Sequence, residues 1–223
     1  MALVSIKADG GPSCSALLLA SLSQHGSASH PYCGSSALLA GATSGRDLAD
    51  LIHHLCVLHG RYPGLLDHAA LRVVDTEARA WLINAGYAFA GERAFLARLS
   101  VAAGPVPSTP GAAGSDTAVL GQRQAMETLA LSERNGCALG AAMALVLDWS
   151  AIRHCLDSAA RRLGIERPNF PSEGSGAITR LADSFAADAP VQRALLFGAE
   201  QILLQHRGLW DLLETRRGAR AEG

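Results

Sequence analysis

The sequence predicts an all-α protein, a bundle of about six to eight helices with antiparallel neighbours and two long irregular loops. Three observations predict it. Apolar residues recur at helical spacing along nearly the whole chain. No stretch alternates with period two, and β-branched residues are sparse. Helix-stopping residues, such as Gly60 with Pro63 and later Gly164, punctuate the apolar runs.

The elements follow in order. A short helix covers Ser13 to Gln24, and a Gly-, Ser- and His-rich loop runs to about Gly45. Ser44 and Asp47 open a helix from Asp47 to His59 in the manner of a capping box. Gly60 is expected in the left-handed conformation that ends it. A short helix, Leu65 to Arg72, precedes a long one that Asp75 caps and that runs to about Leu99. The Pro/Gly/Ser/Ala-rich stretch 101–116 reads as a flexible loop, long enough to act as a lid. Helices follow over Thr117–Arg134, Cys137–Leu163, Ala177–Ala187 and Pro190–Thr215, with a second irregular segment at 164–176. Residues 1–45 thus form an N-terminal short helix and loop, and residues 46–223 a single helical-bundle domain.

Composition bounds the function. Hydrophobic residues make up 49% of 223, enough for one sizeable core. Aromatics are 5%, so aliphatic residues must fill it. Charged residues are 17%, below the usual share of about a quarter. A surface this lean in charge suits coverage by a partner, a homo-oligomer or another protein. The net charge of −1 and the scattered arginines give no field for nucleic acid or an anionic membrane. Cys14, Cys33, Cys56, Cys137 and Cys155 are odd in number and lack a Cys-x-x-Cys pair, as expected of reduced thiols in the cytoplasm. The apolar run Ala16–Leu22 lacks the flanks of an export signal, since Lys7 and Asp9 are weak and no cleavage site follows. The later apolar run Cys137–Leu147 is short of a membrane span.

Two groups of residues carry potential chemistry. In "HHLCVLHGRYPGLLDH", His53, Cys56 and His59 share a helix face at metal-ligand spacing, yet no second pair recurs downstream. The bland reading is the solvated end of a helix, with His59 protonated by the macrodipole. The second group consists of polar residues within apolar stripes. Glu92 lies between Phe89 and Phe95, Glu133 continues the Val119–Met126–Leu129 face, Asp148 borders Leu145 and Ile152, and His206 interrupts the Ala199–Ile202–Leu209 seam. A buried carboxylate must be paired, neutralised or metal-bound. Carboxylates and histidine on facing helices suit a di-metal bundle enzyme. The Glu-x-x-His repeat of such enzymes is absent after Glu77, Glu92, Glu127, Glu133 and Glu200. "EGSGA" around Ser175 is not a Gly-x-Ser-x-Gly elbow. "GATSGRD" lacks the lysine and spacing of a phosphate loop.

The runs "LHGRYPGLLDHA" and "SERNGCALGAAMALVLDWSAIRHCLDSAARRLG" resemble a family of Ala- and Arg-rich helical proteins of alphaproteobacteria with no known function. The resemblance implies no activity. Two function classes remain. One is a non-enzymatic module that binds a small ligand or a partner. The alternative is a ferritin-like or haem-oxygenase-like oxidase or oxygenase holding a metal ion on Glu92, Glu133, Asp148 and His206, with loop 101–116 as its gate.

Overall fold

Capping and stop signals in the sequence set most helix boundaries. Ser13 accepts the Ala16 N–H and opens α1, Cys14–His25. A 3-10 turn, Ser27–Ser29, and a four-residue α2, Ser36–Leu39, occupy the Gly/Ser/His-rich stretch. There follow α3, Ser44–His59, and α4, Leu65–Arg72. Asp75 caps α5, Thr76–Ala103, through the Ala78 N–H at 2.8 Å. Then come α6, Ala112–Ala130, and α7, Cys137–Leu163, which Gly164 stops at φ 66°. The last two are α8, Ser175–Phe185, and α9, Ala189–Glu222. This computed structural model describes residues 11–169 and 175–222, and no strand occurs among them. Lys7, Asp9 and the part of the second loop that holds Glu173 lie outside the described residues.

Several local expectations are corrected. Helix α3 starts at Ser44, and Asp47 is no cap. It is 1% exposed and receives the Arg220 guanidinium at 2.7 Å. Gly60 is right-handed at φ −74°, and glycine is needed there because a Cβ would lie 2.6 Å from the Cys56 carbonyl oxygen. Because α5 runs on to Ala103 and α6 begins at Ala112, the expected loop 101–116 shrinks to residues 104–111. Buried Thr109 ties that loop down by accepting from Arg216 at 3.2 Å and Arg220 at 2.9 Å. It is pinned to α9 rather than poised as a lid.

The expected antiparallel neighbours hold for α3 but not for the central pair. Helices α7 and α9 run parallel, since Gly136 meets Val191, Gly140 meets Leu195 and Asp148 meets His206. Helix α8 carries the chain back between them, which is why two long sequential helices point the same way. Helix α5 is also parallel to α7: Phe89 packs on Trp149, and Arg153 lies over Phe95 further along. Helix α3 threads this group in the opposite sense, pairing His59 with His206, Asp50 with Arg216 and Asp47 with Arg220.

Helix α7 is the spine, with 18 of its 27 residues buried. It is long and apolar enough to cross a membrane by length and composition, but 72% of that window is buried inside the molecule, as in a core helix. Small residues let α9 approach it closely. A Cβ on Gly140 would run into the Leu195 carbonyl, and one on Gly198 into the Cys137 carbonyl. Both obstacles are backbone, so neither can swing aside.

Gly140→Ala or Gly198→Ala should therefore force α7 and α9 apart and cost about 3 kcal/mol or more, at the upper end for overpacking. Gly121→Ala, on α6 with open space around it, should instead stabilise by about 0.5–1 kcal/mol. Urea denaturation of the three variants checks both signs.

Candidate functional site

The site begins with a carboxylate that helix phase places indoors. Asp148 on α7 is 2% exposed. Its Oδ1 accepts the Ser27 N–H at 2.6 Å, and its Oδ2 accepts the Ser27 hydroxyl at 2.6 Å. Gly26 permits this approach, because a Cβ there would lie 2.9 Å from Oδ1. The same Oδ2 takes a hydrogen bond from His206 Nδ1 at 2.7 Å. Burial pushes the Asp148 carboxyl up, but the His206 and Ser27 hydrogen bonds outweigh it and hold the group below its ordinary value.

The chain of contacts continues. His206, fully buried on α9, meets His59 at 3.1 Å, Nε2 to Nε2. His59 ends α3, and Phe89, Trp149 and the His206 ring all meet it edge-on. Glu92 supports this wall from behind. It accepts the Trp149 Nε1–H at 2.8 Å and binds the Arg153 guanidinium.

His59 also floors a cleft. Its cavity is about 30 Å³, bounded by Leu58, Leu66, Phe89, Met126 and Leu145, with Arg61, Arg93 and Arg123 at the rim. That volume holds about one water molecule. His59 is 5% exposed, and its Nδ1 has no hydrogen-bond partner among the described residues. Arg93 is held by Asp67 at 3.1 Å. Arg123 approaches Glu127 at 3.5 Å, but its buried Nε has no hydrogen-bond partner. Arg61 is exposed and forms no ion pair among the described residues. Glu127 lines the same cavity, so Asp67 and Glu127 offset Arg93 and Arg123, and Arg61 is the cation left without a carboxylate among the described residues.

Protonation follows from this geometry. An ionised carboxylate only accepts, so His206 Nδ1 carries hydrogen. Where His206 is neutral, its Nε2 accepts, His59 Nε2–H donates and His59 Nδ1 is a lone pair; where His206 is charged, its Nε2–H donates to His59 Nε2 instead. The expected protonated His59 at the helix end is corrected. Burial first, and then the His206 charge, hold His59 well below the usual histidine range, and this outweighs a macrodipole effect of about 1 kcal/mol.

The other singled-out residues are dispersed. Glu133 is exposed in the turn after α6, because that helix stops at Ala130 before the phase reaches it. His53 Nε2 lies 2.9 Å from the Gly104 carbonyl, and Cys56 Sγ donates to the Leu96 carbonyl at 3.6 Å. The polar contacts of these two run to the C-terminal part and end of α5, whereas that of His59 runs to His206 on α9. Among the described residues no group of three or more His, Cys, Asp or Glu is placed to hold a metal ion. The four-residue cluster expected for a metal-carboxylate enzyme is therefore not assembled: Glu92 is committed to Trp149 and Arg153, and Glu133 is outside. Sequence reasoning underrated His59. The signal was present, since Ile52, Leu55 and His59 share one buried stripe on α3.

A second buried network ties the ends of α3 and α9. Asp50, 0% exposed, takes two hydrogen bonds of 2.8 Å from Arg216 and one of 2.6 Å from Arg220. Elsewhere, exposed Tyr62, Leu71, Ile83 and Tyr87 line an open groove of about 660 Å³ between α4 and α5.

A family of unknown function, DUF6975, matches residues 22–221. The chain belongs to that family. No curated protein and no solved structure matches it. The DUF6975 match takes in Ser27, His59, Asp148 and His206, so the whole buried chain lies within the family's span.

Two outcomes follow. Glu133→Ala should change stability by less than about 0.5 kcal/mol, as for an exposed site, whereas Asp148→Ala, which strands Ser27 and His206, should cost about 3–5 kcal/mol. Acid should also destabilise the fold in two stages. His59 and His54 both have lowered values, chiefly from burial. Below about pH 6.5 the unfolded chain takes up protons that the folded one refuses, so stability falls by up to about 1.4 kcal/mol per pH unit for each. Asp148 and Asp50 are held below the ordinary carboxylate value, so their contribution is lost later, as pH falls through their folded values. Urea midpoints from pH 8 to 3 check the sequence of losses.

Proposed function

We propose that the protein is a binding module for a small molecule with an anionic group, taken up in the His59 cleft. The observation that carries this is His59, 5% exposed, lining a cleft together with Arg61, Arg93 and Arg123 and the single carboxylate of Glu127. No hydrogen bond to His59 Nδ1 occurs among the described residues, which leaves that nitrogen for a group from the cleft. Arginine at a rim suits carboxylate or phosphate, which its planar fork meets with paired hydrogen bonds. The inner cavity admits only a water-sized group, so the anionic head sits at the mouth, against Arg61 and Arg123. The five free cysteines support a reducing, cytoplasmic setting.

In second place, we propose that the apolar face with Leu71, Ile83 and Tyr87 meets a second copy of the chain. The low charge content and the clustering of these exposed side chains support it. Sedimentation equilibrium of wild type and Tyr87→Glu tests it: a dimer lost in the variant supports the reading, and a monomer at all concentrations overturns it.

The cleft is tested with inorganic phosphate by calorimetry and thermal unfolding at pH 7.5. Saturable one-to-one binding is expected. At a hundredfold excess over Kd the stabilisation is about 2.7 kcal/mol. The Arg61→Ala/Arg123→Ala double variant should lose it. Equal stabilisation of wild type and double variant would overturn the assignment.

A further inference from the structure

Resting on that reading of the cleft, we infer that Asp148, His206 and His59 form a proton relay that makes the protein an acid–base catalyst, with His59 as the base for an O–H held in the inner cavity. The geometry is a line of three groups from the core to the cleft. Asp148 is 2.7 Å from His206 Nδ1, and His206 Nε2 is 3.1 Å from His59 Nε2. Each distance is within proton-transfer reach. A purely structural pairing of two histidines would satisfy their nitrogens on each other and on the core. Here His59 Nδ1 has no hydrogen-bond partner among the described residues, and His59 itself lines a cavity the size of one water or hydroxyl.

The step balances without a further reactant. An O–H bond breaks, its electron pair stays on oxygen, and the proton forms an N–H bond at His59 Nδ1. His59 then releases its Nε2 proton to His206 Nε2. His59 ends neutral with its tautomer reversed, and the positive charge rests on His206 against the Asp148 carboxylate. The oxygen left negative lies in a cavity lined by Arg61, Arg93 and Arg123 against the one carboxylate of Glu127, a balance that stabilises developing negative charge. Run backwards, the same path returns the proton. His59 is thus the catalytic residue, and His206 and Asp148 are positioning residues. The matching substrate class is a small anionic molecule whose own hydroxyl, or the water beside it, enters the cavity.

The relay has a signature that ordinary titration lacks. The groups facing His59 are His206 from α9, Trp149 from α7 and Phe89 from α5, and Arg61, Arg93, Arg123 and Glu127 share its cavity. His206 is faced by Asp148 and His59. Ring-nitrogen NMR of the wild-type chain across pH 8 to 4, with and without inorganic phosphate, reads each nitrogen. The expected result is a single coupled transition: His206 becomes doubly protonated while His59 stays neutral and moves its hydrogen from Nε2 to Nδ1. A doubly protonated His59, or two rings that titrate independently or not at all, overturns the relay. The hydrolysis of p-nitrophenyl acetate supplies a rate. It should fall at least tenfold in His59→Gln and in Asp148→Asn, with phosphate affinity kept in Asp148→Asn. An unchanged rate in a folded His59→Gln overturns the catalytic assignment. Phosphate separates the two readings. If the coupled transition appears but phosphate leaves the His59 signals unmoved, the cleft assignment fails. If phosphate shifts them but the rings titrate separately, the relay fails.

Discussion

The fold depends on keeping one carboxylate, Asp148, ionised in the middle of a helical core. Such a group is tolerated only with its lone pairs filled, and three donors from two separate parts of the chain fill them. The Ser27 turn supplies two donors, and α9 supplies the third through His206. That requirement explains otherwise odd features. Gly26 clears room for the turn, and Gly140 with Gly198 lets α7 and α9 lie close enough for Asp148 and His206 to meet. The parallel course of those helices brings both groups to the same level of the bundle.

The network of Asp47, Asp50, Arg216 and Arg220 does a different job at the far end of α9. Buried ion pairs add little net stability compared with apolar packing, but removing one partner is costly. Their value here is registry: the bidentate grip of Arg216 on Asp50 allows α9 one rotation and one height against α3. With that end set, the hydrogen bond from His206 to Asp148 needs only to complete a phase already fixed, and His206 faces His59. Thr109 extends the network to the loop between α5 and α6, which makes an apparently flexible stretch part of the same scaffold.

Much of this was legible in the residues. Caps and stops at Ser13, Asp75 and Gly164 place helix ends because they act locally, on backbone groups within one turn. Helix phase found Glu92, Asp148 and His206, because a polar residue in an apolar stripe is visible without knowing what it faces. The same logic failed for Glu133, since α6 ends at Leu131 and phase has no meaning beyond a helix end. His59 was misread for the opposite reason. Its position in the last turn of α3 suggests solvent, and only the tertiary packing of α7 and α9 shows that this turn ends inside. The direction of neighbours was also hidden, because it turns on α8, a short helix spent on reversing the chain.

The assembly of Asp148 has a consequence for synthesis. Its donors come from residue 27 near one end of the chain and residue 206 near the other, and α1 packs directly on α9. In a chain emerging from the ribosome, Ser27 precedes α7 and can serve Asp148 at once, whereas the third donor, His206, comes only with α9. Helices α3 to α7 pack directly on one another and can dock early, but α9, which makes the most extensive contact with α7, closes the core last. During that interval α7, long and apolar enough to pass for a membrane span, is the segment a chaperone would hold.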